Sequence, residues 1–117
     1  MDEVFNSMEI FKKIEAMCDA YTSFRNSVAN SRITTNIQTT NKYLNQAGKD
    51  YFLITKLNKD LTPTVTNKAF DCMENVLNIP SLDHIKKALE TVREFCEITS
   101  QYEEEFKNKD NDEKKTR

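Results

Sequence analysis

The side chains that could do chemistry are few and lie far apart. The only histidine, His84, stands near the start of a predicted helix, with no second histidine and no Cys-x-x-Cys pair. Structural zinc sites use four Cys or His ligands at short spacings, so the sequence predicts no zinc site. The acidic run Glu103-Glu104-Glu105 is typical of a solvated helix face and not of a metal site.

Motifs for catalysis are also missing from the sequence. Gly48 is the only glycine, which excludes the glycine-rich loops that cradle phosphate groups. No serine lies in a nucleophile motif, and the helical patterns do not predict the concave pocket that paired carboxylates would need. We therefore expect a non-enzymatic protein with no catalytic residue, no cofactor and no metal.

Cysteine usage and the N-terminal sequence bear on location. Cys18, Cys72 and Cys96 are odd in number and far apart, which favours reduced thiols over a disulfide framework. The chain starts Met1-Asp2-Glu3, without the basic and apolar segments of a secretory signal. No run approaches the roughly 18 consecutive apolar residues of a membrane span. These features predict a cytoplasmic protein without a transmembrane segment.

The formal net charge is −2 at pH 7, which is close to balanced. The basic pairs Lys12-Lys13 and Lys86-Lys87 have acidic neighbours that cancel the attraction to phosphate, so nucleic acid is not an expected partner. The first predicted helix has aromatic and Met side chains like a membrane anchor, but its acids repel anionic headgroups. Membrane association is expected only through a complex.

Composition favours long helices and few turns. The 117 residues suffice for one domain, and Gly48, Pro63 and Pro80 are the only glycine and prolines. Compact β folds need tight turns that usually require more of both residue types. The hydrophobic content of 38% lies below the usual ~45–50%, which suits narrow apolar stripes. We expect an all-α fold, an elongated helical hairpin or coiled-coil bundle of three to four helices.

The first predicted helix covers about residues 2–30 and has a broad apolar face. Residues 26–41 are rich in Ser, Thr and Asn, which hydrogen-bond to their own backbone and compete with helix. This composition predicts a break near Asn30-Ser31, where one of the two residues caps the next helix. The alternative is a helix that runs weakly through the polar stretch.

The second predicted helix covers about residues 32–60 and repeats at heptad spacing, which is typical of a coiled coil. Its seam residues are Ile33, Ile37, Thr40, Leu44, Ala47, Tyr51, Ile54, Asn58 and Leu61. Thr40, Ala47 and Asn58 fill a core poorly. Asn58 either sets register or partner choice, as polar seam residues do, or marks the end of the seam.

Two junctions that contain proline separate the remaining helices. Thr62 is predicted to cap a third helix that starts at Pro63 and covers residues 63–78. Ser81 is predicted to cap a fourth helix, over about residues 82–106.

The fourth predicted helix repeats the heptad pattern. Its seam residues are Leu82, Ile85, Leu89, Val92, Cys96, Thr99 and Phe106. Its solvent face is predicted to carry Glu90, Arg93, Glu94 and Glu97. Residues 1–106 then form one helical domain, and residues 107–117, which are charged or polar throughout, form a disordered tail.

Seams of this kind must be covered by each other or by another chain. The poor filling of the second seam and the lean composition favour a subunit of a hetero-oligomer with helical protein partners over a bundle that folds alone. The predicted partner interface is Ile33, Ile37, Leu44, Tyr51, Ile54, Asn58, Leu61, Leu82, Ile85, Leu89, Val92 and Cys96.

Two short motifs around Leu61 resemble known families. The stretch Lys56-Leu57-Asn58-Lys59-Asp60-Leu61 resembles the Lys-x-Asp-Leu signature of the KxDL family, with Asn58 where that family has Lys. The stretch Leu61-Thr62-Pro63-Thr64-Val65 is similar to the Leu-x-Pro-x-Val junction between helices of snapin-like subunits. Both belong to the small coiled-coil subunits of the lysosome-related-organelle biogenesis complex and its sister, the BLOC-one-related complex that positions lysosomes.

The resemblance implies a non-enzymatic coiled-coil scaffold subunit of a hetero-oligomeric complex in endolysosomal trafficking or organelle positioning. It also implies a place in the cytoplasm, on the cytosolic face of endolysosomal membranes. The alternative is a self-contained helical-bundle adaptor or regulatory protein that binds a partner peptide, with a groove beside its first helix.

Overall fold

The computed structural model of this chain describes the backbone of residues 2–76 and 81–115 and the side chains of residues 3–75 and 82–105. Over these residues the chain forms four α-helices: α1 is Asp2–Ile33, α2 is Ile37–Asp60, α3 is Pro63–Val76 and α4 is Ser81–Lys115. The prediction of an all-α helical bundle is confirmed. The molecule measures 58 × 38 × 21 Å and is elongated along its long helices.

α1 and α2 form an antiparallel hairpin. Ser23 Oγ lies 2.6 Å from Asp50 Oδ2, and Lys13 Nζ lies 3.9 Å from Asp60 Oδ2. Residue numbers therefore rise along α1 as they fall along α2. α1 also contacts α3 and α4, so every other helix packs against it.

The turn of this hairpin lies farther along the chain than the sequence predicts. α1 continues through Asn30 and Ser31 to Ile33, because Ser31 Oγ donates to the Val28 carbonyl inside the helix instead of capping a new one. Asn36 is the N-cap of α2, and its side chain accepts two backbone N–H groups of the first turn. The predicted break near Asn30-Ser31 is wrong, and Ile33 belongs to α1.

α3 follows α2 after a short break at Leu61 and Thr62. Thr62 Oγ1 accepts a hydrogen bond from the Val65 N–H at 3.3 Å, and Pro63 is the first residue of α3, as the sequence predicts. α3 ends at Val76, and the predicted end at Asn78 lies outside the described residues.

α4 runs back along α2 and α3, antiparallel to both. Three contacts set this direction: Tyr51 with Glu103, Thr66 with Arg93, and Glu74 with Lys86. The bundle therefore consists of three antiparallel segments: α1, then α2 followed by α3, and then α4. The second segment is interrupted between α2 and α3.

The end of α4 differs from the prediction. The helix extends to Lys115, beyond the predicted end at Phe106, so the backbone of the predicted disordered tail is helical over most of its length. The tail contains no Gly or Pro, and its lysines and glutamate are good helix formers, so nothing in it stops the helix. α4 begins at Ser81, the predicted cap, whose side chain lies outside the described ones.

The core lies where α1, α3, α4 and the second half of α2 meet. Its buried apolar side chains are Ile14, Met17, Ala20, Ile54, Leu61, Phe70, Met73, Leu82, Leu89, Val92 and Cys96. Burial of one large apolar side chain contributes about 1.5–3 kcal/mol, so this cluster is the main source of stability.

Candidate interaction surface

The residues of the predicted partner interface fall into three groups by burial. Those covered by the chain's own helices are Ile54, Leu61, Leu82, Leu89, Val92 and Cys96. Those that are half-buried are Tyr51, Asn58 and Ile85. Ile33, Ile37 and Leu44 remain exposed, with exposed fractions of 78%, 78% and 50%. We call these three residues the hairpin-end patch, because they lie where α1 passes into α2.

The part of α4 that could cover the patch is polar beyond Phe106. Glu103 of α4 meets Tyr51, and the patch residues of α2 precede Tyr51. Since the two helices are antiparallel, only α4 residues beyond Glu103 could lie alongside these positions. From Lys107 onward those residues are all polar or charged.

A buried polar cluster joins α1 and α2 in the same half of the hairpin. Asp50 is buried, and its carboxylate accepts hydrogen bonds from Ser23 Oγ at 2.6 Å and from Gln46 Nε2 at 3.1 Å. Both donors are neutral. Ser27 and Ala47, which are also buried there, are small and remove little apolar surface from water. The contact in this half of the hairpin therefore combines buried hydrogen bonds with little fully buried apolar surface.

An aromatic cluster forms where α1, α2 and α4 meet. The ring of Phe95 lies 5.2 Å from that of Tyr21 and 5.1 Å from that of Phe24, between centroids. The Tyr51 ring lies 6.2 Å from Phe95, and its hydroxyl donates to Glu103 Oε1 at 2.6 Å. This hydrogen bond, together with partial burial, raises the pKa of Tyr51. Tyr51 thus contacts the chain's own α4.

Asn58 also lies next to the chain's own α4. It is half-buried and lines a small polar pocket of about 260 Å³, together with Cys96, Glu97, Ser100 and Gln101. One of the two interpretations of Asn58 was that the seam ends there. Leu61, the following seam residue, is only 1% exposed, so the seam continues past Asn58.

The α2–α3 junction is held by Arg93, which the sequence pattern places on the solvent face. Arg93 Nη2 donates to the Leu61 carbonyl at 3.0 Å and to Thr66 Oγ1 at 2.7 Å. Thr66 is fully buried, and its hydroxyl donates to the Thr62 carbonyl. A cation is favourable at the free carbonyls of a helix C-terminus. The sequence signal for this role is that Arg93 is the single base between Leu89 and Glu105, a stretch otherwise rich in acids.

An open groove of about 420 Å³ lies between α1 and α3. Its apolar lining comes from Ile10, Val65, Ala69 and Cys72, and its polar lining includes Glu3, Asn6, Lys68 and Asp71. An apolar surface with a few polar groups is typical of sites that take a small ligand or a peptide side chain. The groove lies beside the first helix, where the adaptor alternative predicts one.

Two of the cysteines, Cys18 and Cys96, have thiols that are less acidic than a free thiol. Burial raises the pKa of Cys96, and burial together with the charge of Asp19 raises that of Cys18, so both stay protonated and weakly nucleophilic at neutral pH. Among the residues with described side chains, no group of three or more His, Cys, Asp or Glu could hold a metal ion. None of the described helices has the length and apolar character to span a membrane.

The sequence matches no protein-family model, and neither the curated proteins nor the solved structures include a match to this chain.

Proposed function

We propose that this chain is a non-enzymatic helical subunit that binds other helical proteins in a hetero-oligomeric complex. The hairpin-end patch carries the proposal, because its isoleucines and leucine were predicted as seam residues and stay exposed, whereas Ile54 and Leu61 of the same seam are buried. A partner helix with an apolar stripe would remove them from water, and full burial of each contributes about 1.5–3 kcal/mol. The patch needs no opening of the bundle to bind.

The process that we propose is endolysosomal trafficking or organelle positioning, in the cytoplasm and on the cytosolic face of endolysosomal membranes. This finer proposal rests on the resemblance to KxDL and snapin-like subunits. In its support, the stretch Leu61-Thr62-Pro63-Thr64-Val65 lies at a junction between two helices, as the family pattern implies. Attachment to the membrane would come from the partners in the complex.

Affinity purification of the full chain from its native cells, with identification and quantification of the co-eluting proteins, tests the proposal. We expect a fixed set of helical proteins in constant ratio to the chain. The variant Ile37→Asp/Leu44→Asp should reduce their yield about tenfold or more, which corresponds to a loss of at least about 1.4 kcal/mol of binding free energy.

The matched control is Phe5→Asp/Met8→Asp, which changes two apolar side chains of α1 with exposed fractions of 65% and 50%. This control should retain the co-eluting proteins at the wild-type ratio. Equal loss in both variants, or no protein in constant ratio to the wild-type chain, would contradict the proposal.

The groove between α1 and α3 favours a second candidate function, a self-contained adaptor or regulatory protein that binds a partner peptide. Val65, which is half-buried in the groove lining, offers the test. The variant Val65→Trp should fill the groove and exclude the peptide. Loss of a partner in this variant, with retention of the same partner in Ile37→Asp/Leu44→Asp, would assign binding to the groove and not to the hairpin-end patch.

A further inference from the structure

The outer side of α2 is basic. Its exposed lysines are Lys42, Lys49, Lys56 and Lys59. The first three recur every seventh residue, and positions seven apart differ by only about 20° around a helix, so these lysines share one side. The acids of α2 do not balance them, because Asp50 is buried against Ser23 and Asp60 is paired with Lys13. We call this surface the basic face.

Two apolar side chains interrupt the basic face. Phe52 and Leu53 are 69% and 41% exposed and lie between Lys49 and Lys56. Gly48 lies nearby, and a Cβ atom added at this position would have no atom of another helix within 4 Å. Open space and apolar side chains in the middle of a basic stripe are features that suit close approach by another helix.

The outer side of α4 has the opposite charge. Its exposed acids are Glu90, Glu94, Glu97, Glu104 and Glu105. Ile98 and Tyr102 lie among them with exposed fractions of 54% and 64%. Between Leu89 and Glu105 the single base is Arg93, whose guanidinium is bound to Leu61 and Thr66. We call this surface the acidic face.

Among the described side chains, no ion pair neutralises either face. The ion pairs among the described side chains are Lys12 with Glu9, Lys13 with Asp60, and Lys86 with Glu74. None of these involves a lysine of the basic face or a glutamate of the acidic face. Both sets of charges are therefore available to an outside partner.

The two faces also match in length. Lys49 and Lys59 are ten positions apart, which is about 15 Å along a helix, and they bracket Phe52 and Leu53. Glu94 and Glu105 are eleven positions apart, about 17 Å, and they bracket Ile98 and Tyr102. Each face thus presents an apolar pair between charges of one sign, and the two signs are complementary.

We propose that the basic face of one molecule binds the acidic face of a second copy of this chain. The proposal goes beyond the partner binding described above and uses a different surface from the hairpin-end patch. α2 and α4 are neighbours that run antiparallel. In this contact, α2 of one copy lies antiparallel along α4 of the other, as the two helices do within one copy.

A lysine stripe with apolar neighbours also attracts anionic lipid surfaces. The observations favour a protein partner because the same molecule carries the acidic face, which such a surface repels. Vesicles with anionic lipid therefore serve as the competing probe in the test.

Sedimentation analysis of the full chain over a concentration series at low salt tests the proposal. The wild-type average mass should rise towards twice that of the monomer, and added salt should reverse the rise because exposed charges are screened. The variants Lys49→Glu/Lys56→Glu and Glu94→Lys/Glu97→Lys should each stay monomeric where the wild type is half dimer. An equal mixture of the two variants should associate again, because the glutamates introduced in α2 of one variant then face the lysines introduced in α4 of the other.

The matched control is Lys12→Glu/Lys68→Glu, which makes the same change in net charge with exposed lysines of α1 and α3 and should dimerise like the wild type. Circular dichroism checks that every variant keeps its helices. A wild-type chain that stays monomeric at every concentration, a mixture that fails to associate, or binding to anionic vesicles without self-association would overturn the proposal. None of these results depends on Ile37 or Leu44, so they leave the partner-binding proposal to its own test.

Discussion

The end of the bundle that includes α3 buries Ile14, Ile54 and Val92 among other apolar side chains, whereas the hairpin end buries Ser27 and Asp50. At the first end, helices pack against several sides of α1. The second consists mainly of α1 against α2, with hydrogen bonds at the contact and apolar residues on the outside. The α3 end therefore has a closed core, although Phe5 and Met8 are exposed on its outer surface, and the hairpin end offers apolar surface to a partner without such a core.

The apolar seam of α2 shows this difference between its first half and its second half. Ile37 and Leu44 are exposed, while Ile54 and Leu61 are almost wholly buried, although all four belong to the same apolar seam. Heptad spacing determines which side of a helix is apolar. Whether that side is covered depends on the neighbouring helices. The helix that could cover the first half of this seam is α4, which has no apolar residue beyond Phe106.

The largest expected effect comes from placing a charge in each half of this seam. Ile54→Asp puts an unpaired carboxylate in the core and should lower the free energy of unfolding by more than about 4 kcal/mol, enough to unfold a chain of ordinary stability. Leu44→Asp should change it by less than about 1 kcal/mol, because Leu44 is half-exposed. Urea unfolding followed by circular dichroism measures both. Similar losses in the two variants would contradict the division into a closed and an open end.

The next largest effect is expected at the junction that closes the apolar end. Arg93→Ala removes the donor to the Leu61 carbonyl and to Thr66, and should cost about 2–3 kcal/mol of unfolding free energy. Arg93→Lys should recover part of this loss. The matched control Glu90→Ala changes an exposed neighbour and should stay within about 0.5 kcal/mol of wild type. A cost of the same size for Glu90→Ala would remove the special role of Arg93.

A smaller and more local effect is expected at the hairpin end. Ser23→Ala leaves Asp50 with Gln46 as its one remaining described donor and should cost about 1–2 kcal/mol. Hydrogen exchange should show faster opening of the backbone on both sides of this contact, with little change near Ile14 or Val92. The exposed Thr22→Ala change one position earlier is the control. Faster exchange throughout the bundle would mean that the two ends do not open independently of each other.

The smallest effect should have the opposite sign. Gly48→Ala in the middle of α2 should raise the free energy of unfolding by about 0.5–1 kcal/mol, because alanine is the better helix former and its Cβ would meet nothing within 4 Å. The midpoint of urea unfolding measures the gain. The same change should weaken any assembly in which another helix approaches Gly48 closely, and a loss of stability in the isolated chain would show that the glycine has a packing role within it.

Most of the fold could be predicted because apolar periodicity and turn chemistry act locally. The cap at Thr62 and the start of α3 at Pro63 follow from the residues themselves. The turn before α2 was misplaced because Asn30, Ser31 and Asn36 are all good caps. The structure selects Asn36, since Ser31 bonds back to α1. Which of several competent caps is used depends on packing that the local sequence does not contain.

The candidate surface was harder to predict than the fold. The seam pattern identified Ile37, Leu44 and Ile54 equally as interface, and tertiary packing then covered Ile54 and left the other two exposed. Arg93 was assigned to solvent because its neighbours along α4 are acids, but its target is a carbonyl of another helix. Contacts between distant parts of the chain decided both cases.

The central position of α1 has a consequence for the order in which the bundle can form. α1 is synthesised before α2, α3 and α4, which all pack on it, and Leu82, Leu89 and Val92, needed to complete the core, arrive only with α4. At translation rates of about 5–20 residues per second, the 35 residues of α4 take roughly two to seven seconds to synthesise. During that interval Tyr21 and Phe24 of α1 lack their ring contacts with Phe95 on the nascent chain. A chain truncated before α4 would keep this surface open permanently and would be prone to aggregation.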